Sequence, residues 1–215
     1  MTRVPNPPRG EVISRVAHDL RATLNALAGW GGALEAGPLS ADDVRRAGAA
    51  VSRQAHMTSK RLDLALDFWR LDVGLLEMSP APVAAAQMAQ AAVALCTQVA
   101  TQRGVSCDVT SDETLMVNVH ASRFSQALAL ILEEVIGLAP VNGRVTVGVT
   151  RQGDDIGFAV APLNGATPRA LSSPFTRSLA VALVELQGGR VDAGDAGTFA
   201  IVLPCAPASV STDAV

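Results

Sequence analysis

The chain has 215 residues, room for one medium domain or two small ones, and its 49% hydrophobic and 17% charged residues exclude global disorder. A net charge of -3 with scattered arginines gives no support for nucleic-acid binding. No apolar stretch approaches the roughly 18 residues of a membrane span, so no membrane partner is expected either.

The cysteines and histidines argue against disulfide and metal chemistry. The cysteines are odd in number, widely spaced and set in apolar neighbourhoods: Cys96, Cys107 and Cys205. We expect buried free thiols, which are typical of a reducing, cytoplasmic compartment. There is no CxxC or HxxxH spacing, and the histidines lie far apart: His18, His56 and His120. The chain itself is therefore expected to hold no metal.

The N-terminal part predicts a disordered arm followed by a long helix. Residues 1–9 are polar and Pro-rich and lack the apolar region of a signal peptide. From Glu11 onwards, apolar and small residues recur in steps of four and three: Ile13, Ala17, Leu20, Leu24, Leu27, Gly31 and Leu34. This period is typical of a helical-bundle seam. Gly37 and Pro38 are expected to end the helix, and Ser40 to cap the next one.

A second helix with the same period is predicted after Ser40. Its seam is formed by Val44, Gly48, Val51, Ala55, Thr58, Leu62, Ala65 and Trp69. Two long helices joined by a short loop make an antiparallel hairpin whose apolar stripe stays half exposed. Pairing of two hairpins into a four-helix bundle would cover both stripes, so we expect a homodimer.

The character of the sequence changes after residue 82. Helices are predicted over 83–103, 121–138 and 176–186, and short strands over 105–109, 115–119, 145–150, 156–161, 190–192 and 198–203. Gly153-Asp154 is a turn signal between two of these strands. The order predicts an α+β sandwich over residues 83–205, after a hairpin domain over 10–78 and before a disordered tail over 206–215.

One segment of the first helix resembles a known motif. Residues 16–24 read Val-Ala-His-Asp-Leu-Arg-Ala-Thr-Leu, which resembles the H-box of sensor histidine kinases. Residues 61–74, 119–126, 140–147, 187–191 and 197–204 resemble later landmarks of that family. The resemblance covers residues 14–204. It implies a dimerisation and phosphoacceptor hairpin followed by a kinase-type ATP-binding domain.

The sequence departs from the family wherever the nucleotide should be held. Glu134 stands in place of an asparagine that coordinates magnesium, Leu130 replaces another asparagine, and Gly137 replaces a lysine. The turn at 161–165 has no aspartate for adenine, and the helix at 179–186 has no glycine-rich loop before it. The segment between Gly165 and Phe175 is short for a lid over ATP. Together these losses predict that ATP is not bound, that the chain holds no cofactor of its own and that autokinase activity is absent.

The resemblance makes His18 the expected phosphoacceptor. Because Ala17 and Leu20 belong to the seam, His18 should lie beside it and face solvent, where a neutral imidazole nitrogen can attack phosphorus. Asp19 is expected to orient the ring or act as a general base. Arg21 is expected either to hold the phosphoryl charge or simply to be solvated.

Neighbours of His18 refine this interpretation. Where the family has a threonine or asparagine that orients water for dephosphorylation, this chain has Ala22, so phosphatase activity is disfavoured. The next position, usually proline, is Thr23, so the helix should lose its bend. Ser14, Arg15 and Asn25 lie on the helix face of His18 and either line a docking surface or are merely solvated.

The resemblance thus predicts a bacterial histidine phosphotransfer protein. Phosphoryl groups would pass between aspartates of response-regulator receiver domains through His18, with magnesium supplied by the receiver. Two alternatives remain open at this point. One is a divergent ATP-dependent sensor histidine kinase, and the other is a non-catalytic dimeric scaffold.

Overall fold

The computed structural model describes residues 1–4, 9–37, 39–111, 115–165 and 174–206; within these ranges the side chains of 9–13, 15, 19, 174 and 196 lie outside the description. The chain divides into two compact units. The hairpin unit comprises residues 7–77 and 173–175, and the sheet unit comprises 1–6, 78–172 and 176–215.

The hairpin unit consists of helices α1 (Arg9–Glu35) and α2 (Ala41–Asp72), which pack against each other. Gly37 has a φ of +151°, a backbone conformation that favours glycine, and it lies in the connection between the helices. Ser40 caps α2 as expected, because its hydroxyl accepts a hydrogen bond from the backbone N–H of Asp43 at 3.1 Å. The boundary between the helices is therefore specified locally.

The residues buried within one hairpin are neighbours of the predicted seam rather than its members. They are Thr23, Ala47, Ala50, Leu64 and Phe68. The described seam residues are half-buried or exposed, and Leu24, Leu62 and Trp69 have exposed fractions of 53%, 49% and 55%. A single hairpin therefore leaves an apolar stripe uncovered along both helices.

The sheet unit contains the remaining elements, except that the first two residues of the last helix belong to the hairpin unit. Its helices are α3 (Ala85–Arg103), α4 (Ala121–Leu138) and α5 (Pro174–Glu185). Its strands are β1 (Thr2–Arg3), β2 (Ala81–Ala84), β3 (Ser106–Ser111), β4 (Met116–Val119), β5 (Arg144–Gln152), β6 (Asp155–Pro162), β7 (Arg190–Ala193) and β8 (Phe199–Pro204), with a 3-10 turn at Asp195–Gly197.

The strands form a six-stranded sheet in the order β1-β7-β8-β6-β5-β3 and a two-stranded sheet of β2 and β4. Pairing is antiparallel except between β3 and β5. Helices α3 and α4 pack together, and α4 lies against β6, where the rings of Phe124 and Phe158 meet edge to face at 4.9 Å. The core sits between these helices and the sheet. No helix of the described residues is long and apolar enough to span a membrane.

The structure differs from the sequence expectations at the N-terminus. The arm over 1–9 was expected to be disordered, but Thr2–Arg3 pairs with β7, the backbone N–H of Val4 donates to Val191 at 3.0 Å, and Arg9 begins α1. The sequence of the arm has no apolar period, and the strand that orders it lies near the other end of the chain. The local sequence therefore could not predict this pairing. Residues 5–8 lie outside the described part.

Three further expectations need correction or stay open. The predicted helix over 83–103 begins only at Ala85, because the preceding residues of β2 pair with β4. Of the cysteines expected to be buried, Cys96 is, while Cys107 and Cys205 are half-buried. Burial, followed by the charge of Asp108, raises the pKa of Cys107. The predicted disordered tail over 206–215 is wrong at its first residue, because Ala206 is buried and its backbone N–H donates to Met116 at 3.0 Å. Residues 207–215 lie outside the described part.

Candidate phosphoacceptor site

The segment that resembles the H-box lies entirely in α1. Val16, Ala17 and Leu20 are half-buried, whereas His18 is exposed. Successive residues of an α-helix are rotated by about 100°, so His18 points away from the neighbours that face the partner helix. The expected exposure of His18 is confirmed, and its imidazole is accessible to another molecule.

The structure describes the side chain of only one of the two other predicted site residues. Arg21 is exposed, as a group that meets an incoming anion has to be. The side chain of Asp19 lies outside what the structure describes, so its predicted action on His18 stays a prediction. Ser14 and Asn25 are exposed on α1, and the side chain of Arg15 is not described.

A partly buried polar contact joins the two helices close to His18. Thr23 is 3% exposed, and its hydroxyl accepts a hydrogen bond from Nη1 of Arg61 on α2 at 2.7 Å. Ala22, one residue before it, is exposed and offers only a methyl group. Sequence reasoning treated Thr23 merely as a missing proline and did not identify its partner. The available signal was a hydroxyl beside the seam with an arginine on the facing helix.

A second polar cluster lies in the sheet unit and involves Glu134. Glu134 on α4 is 1% exposed, and both of its carboxylate oxygens meet Arg177 of α5. Nε of Arg177 lies 3.2 Å from Oε2, and the guanidinium also stands over the ring of Phe199 at 5.3 Å from its centroid. A bidentate Arg–carboxylate pair uses the acceptor positions with which a carboxylate would bind a cation.

Sequence reasoning placed Glu134 at a position of interest but missed Arg177. Arg177, in the first turn of α5, provides the cation that pairs with this buried carboxylate. A buried carboxylate on an apolar helix such as α4 signals a cationic partner elsewhere in the fold. That rule gives the kind of partner but not its position.

The other positions that the resemblance assigns to a nucleotide site carry no carboxylate. After β6, Leu163, Asn164 and Gly165 are exposed, and Gly165 has a φ of +77°. The segment expected to be too short for a lid falls on residues 166–173, outside the described part. Among the residues that the structure describes, no group of three or more His, Cys, Asp or Glu side chains is placed to hold a metal ion.

The chain is similar in sequence to part of a known sensor protein. No family model matches the chain. The sensor protein DivL of Caulobacter vibrioides is 24% identical over 213 residues, which covers 90% of this chain and 28% of DivL. The chain thus spans little more than a quarter of the length of that relative.

Solved histidine kinases superpose on most of the chain. The histidine kinase AdeS of Acinetobacter baumannii has a TM-score of 0.71 at 14% identity and covers 88% of this chain and 98% of its own. The histidine kinase ThkA, in a complex with the response regulator TrrA, has a TM-score of 0.65 at 14% identity, and the match covers 92% of this chain and 62% of ThkA. Full-length ShkA in complex with AMPPNP has a TM-score of 0.59 at 21% identity, and the match covers 94% of this chain and 47% of ShkA.

These likenesses show the fold. The chain has a histidine-kinase-like fold, in which a helical hairpin is followed by an α/β sheet domain resembling the kinase ATP-binding domain. The α+β class expected from the sequence is confirmed.

Proposed function

We propose that the chain is a histidine phosphotransfer protein of a bacterial two-component phosphorelay, which passes phosphoryl groups between the aspartates of response-regulator receiver domains. The observation that carries the proposal is the exposed His18, set in an H-box-like segment on the first helix of a histidine-kinase-like hairpin. A buried histidine on this helix would exclude attack on an external phosphoryl group.

For phosphoryl transfer, this chain mainly has to position the imidazole of His18. A neutral ring nitrogen of His18 attacks the phosphorus of an aspartyl phosphate; an N–P bond forms, the acyl O–P bond breaks, and the aspartate carboxylate leaves. Reversal with a second receiver moves the group onwards. Magnesium held by the receiver neutralises the phosphoryl oxygens, and Arg21 is the proposed cation on this side. Asp19 is proposed to orient the imidazole.

The Glu134–Arg177 pair supports a relay over a kinase. In the resemblance, Glu134 takes the place of a magnesium-binding asparagine, and its carboxylate is engaged by an arginine of the same unit. Binding a magnesium ion there would require Glu134 to give up its ion pair with Arg177, whose guanidinium would then lose its partner. We therefore propose that the sheet unit is a degenerate ATP-binding domain that acts as a structural flank.

The partners follow from the same fold. A solved histidine kinase of this fold, ThkA, is seen in complex with a response regulator, which supports receivers as the partner class. The exposed stripe of the hairpin, with Leu24, Leu62 and Trp69, is an apolar surface of the kind that a second copy would cover. We propose a homodimer formed through a four-helix bundle.

The second candidate is a divergent ATP-dependent histidine kinase. It is favoured by the superposition on ShkA, which was solved with the ATP analogue AMPPNP, over 94% of this chain. The two candidates differ in the source of the phosphoryl group, since a kinase takes it from ATP and a relay protein from a receiver.

Label transfer from a phosphorylated receiver tests the proposal. The unmodified protein should acquire label that is labile in acid and stable in base, as a phosphohistidine is. His18→Gln keeps a polar side chain of similar size but has no nucleophilic ring nitrogen, so it should acquire none. The matched control is His120→Gln, in the sheet unit, which should be labelled like the unmodified protein. Acid-stable label, or label on His18→Gln, would overturn the assignment.

A further inference from the structure

Strand β1 covers one edge of the six-stranded sheet. It pairs antiparallel with β7 through Thr2 and Arg3, and the backbone N–H of Val4 donates to the carbonyl of Val191 at 3.0 Å. Without β1, β7 would be the end strand of this sheet, because its other neighbour is β8. An end strand leaves its outward backbone groups unpaired, and they are then available to a strand of another chain.

The side chains of β1 bury little surface of their own. The strand is two residues long, and both Thr2 and Arg3 are exposed. Arg3 forms an ion pair with Glu185 at 2.9 Å, but its side chain is 66% exposed, so solvent screens the attraction. The main effect of this segment on the sheet is therefore to cover the outward backbone groups of β7.

The edge of β7 is complementary to itself. Residues 190–193 read Arg-Val-Asp-Ala, and strand alternation places Arg190 and Asp192 on one face, on either side of Val191. The carbonyl of Val191 points to the outer edge, since it accepts the hydrogen bond from Val4. If two β7 strands paired antiparallel about Val191, Arg190 of each copy would lie opposite Asp192 of the other. Opposite charges in directly opposed positions stabilise an antiparallel pair.

We propose that residues 1–4 form an edge guard, which keeps β7 from pairing with β7 of a second copy of this chain. In a homodimer formed through the hairpin, a second two-fold contact at the sheet edge would join dimers into larger assemblies. The edge guard blocks this second contact by filling it from within the chain. The inference does not depend on the chemistry of His18.

Release of the edge guard tests the proposal. Arg3→Glu places a carboxylate beside Glu185 and opposite Asp192, and Val4→Pro removes the N–H that bonds to Val191. The variant with both changes should form larger species than the unmodified protein in sedimentation experiments at concentrations up to about 1 mM, the range in which a weak contact is populated.

Two added substitutions locate the association at the edge of β7. With Leu62→Asp, which removes the apolar contact proposed for the hairpin, the released variant should grow only to twice its own size, because a single two-fold contact is closed. Ala193→Pro should suppress the association. The N–H of Ala193 points to the same edge as the carbonyl of Val191, two residues earlier, and proline has no N–H to donate.

A matched control separates the edge guard from net charge. Arg144→Glu makes the same change in charge as Arg3→Glu near the opposite edge of the sheet, where Arg144 pairs with Asp108, and it should leave the size of the assembly unchanged. Amide exchange of Val191 and Ala193 in dilute solution reports the release. The edge guard is overturned if both amides exchange rapidly in the released variant and the assembly does not grow. Amides that stay protected in dilute solution, or growth that Ala193→Pro does not reduce, overturn it as well.

Discussion

Replacing Arg177 with methionine is predicted to destabilise the sheet unit by about 3–4 kcal/mol at pH 7. Methionine retains an unbranched apolar stem but removes the guanidinium. Glu134, 1% exposed, then keeps a charge in a place from which water is excluded. The guanidinium also contacts the ring of Phe199, and loss of that contact adds about 0.5–1 kcal/mol. Urea unfolding of the unmodified and variant proteins at pH 7 measures the difference in the free energy of unfolding.

Two further variants check the reasoning. Arg190 forms exposed ion pairs with Asp155 and Asp192, so Arg190→Met should cost less than about 1 kcal/mol. Removing both members of the buried pair, with Glu134→Leu and Arg177→Met, should recover most of the lost stability, since no unpaired charge remains. The reasoning is refuted if Arg177→Met unfolds at the same urea concentration as the unmodified protein, or if the double variant is no more stable than Arg177→Met.

The hairpin gives two more predictions. Leu62→Asp should convert the dimer to a folded monomer in sedimentation experiments, because Leu62 is 49% exposed in one chain but central to the proposed bundle. The control Leu95→Asp on α3 should remain dimeric. A monomeric unmodified protein at micromolar concentration would contradict the bundle. The side-chain hydrogen bonds from Ser40 and Arg46 lower the pKa of Asp43, so Ser40→Ala should raise this pKa towards 3.8 in an NMR titration. Loss of the cap should also cost about 1 kcal/mol of stability, and an unchanged pKa would argue against the cap.

The elements that the sequence predicted well are those with strong local signals. Helix α4 was expected over 121–138 and is found there, because a dense apolar pattern continues without a break from Ala121 to Leu138. The hairpin of β5 and β6 follows from alternating residues on both sides of Gly153, whose φ of +68° suits glycine. Such signals lie within a few residues of the structure that they specify.

The features that were missed depend on distant partners. Strands β1 and β2 are two and four residues long, too short for a period, and they are strands only because β7 and β4 pair with them. The Thr23–Arg61 and Glu134–Arg177 contacts join residues 38 and 43 positions apart. A local pattern tells which residue needs a partner but not which residue provides it. In the candidate site, the exposure of His18 was predicted from the seam, and its surrounding contacts were not.

Measuring whether His18 takes its phosphoryl group from ATP or from a receiver is the most direct test of the proposed function. The unmodified protein is incubated in parallel with radiolabelled ATP and magnesium, and with a receiver carrying radiolabelled aspartyl phosphate, and the label on His18 is measured. The proposed relay predicts acid-labile label on His18 from the receiver and none from ATP. Label that reaches His18 from ATP, at a rate that His18→Gln abolishes, would contradict the relay and establish a kinase.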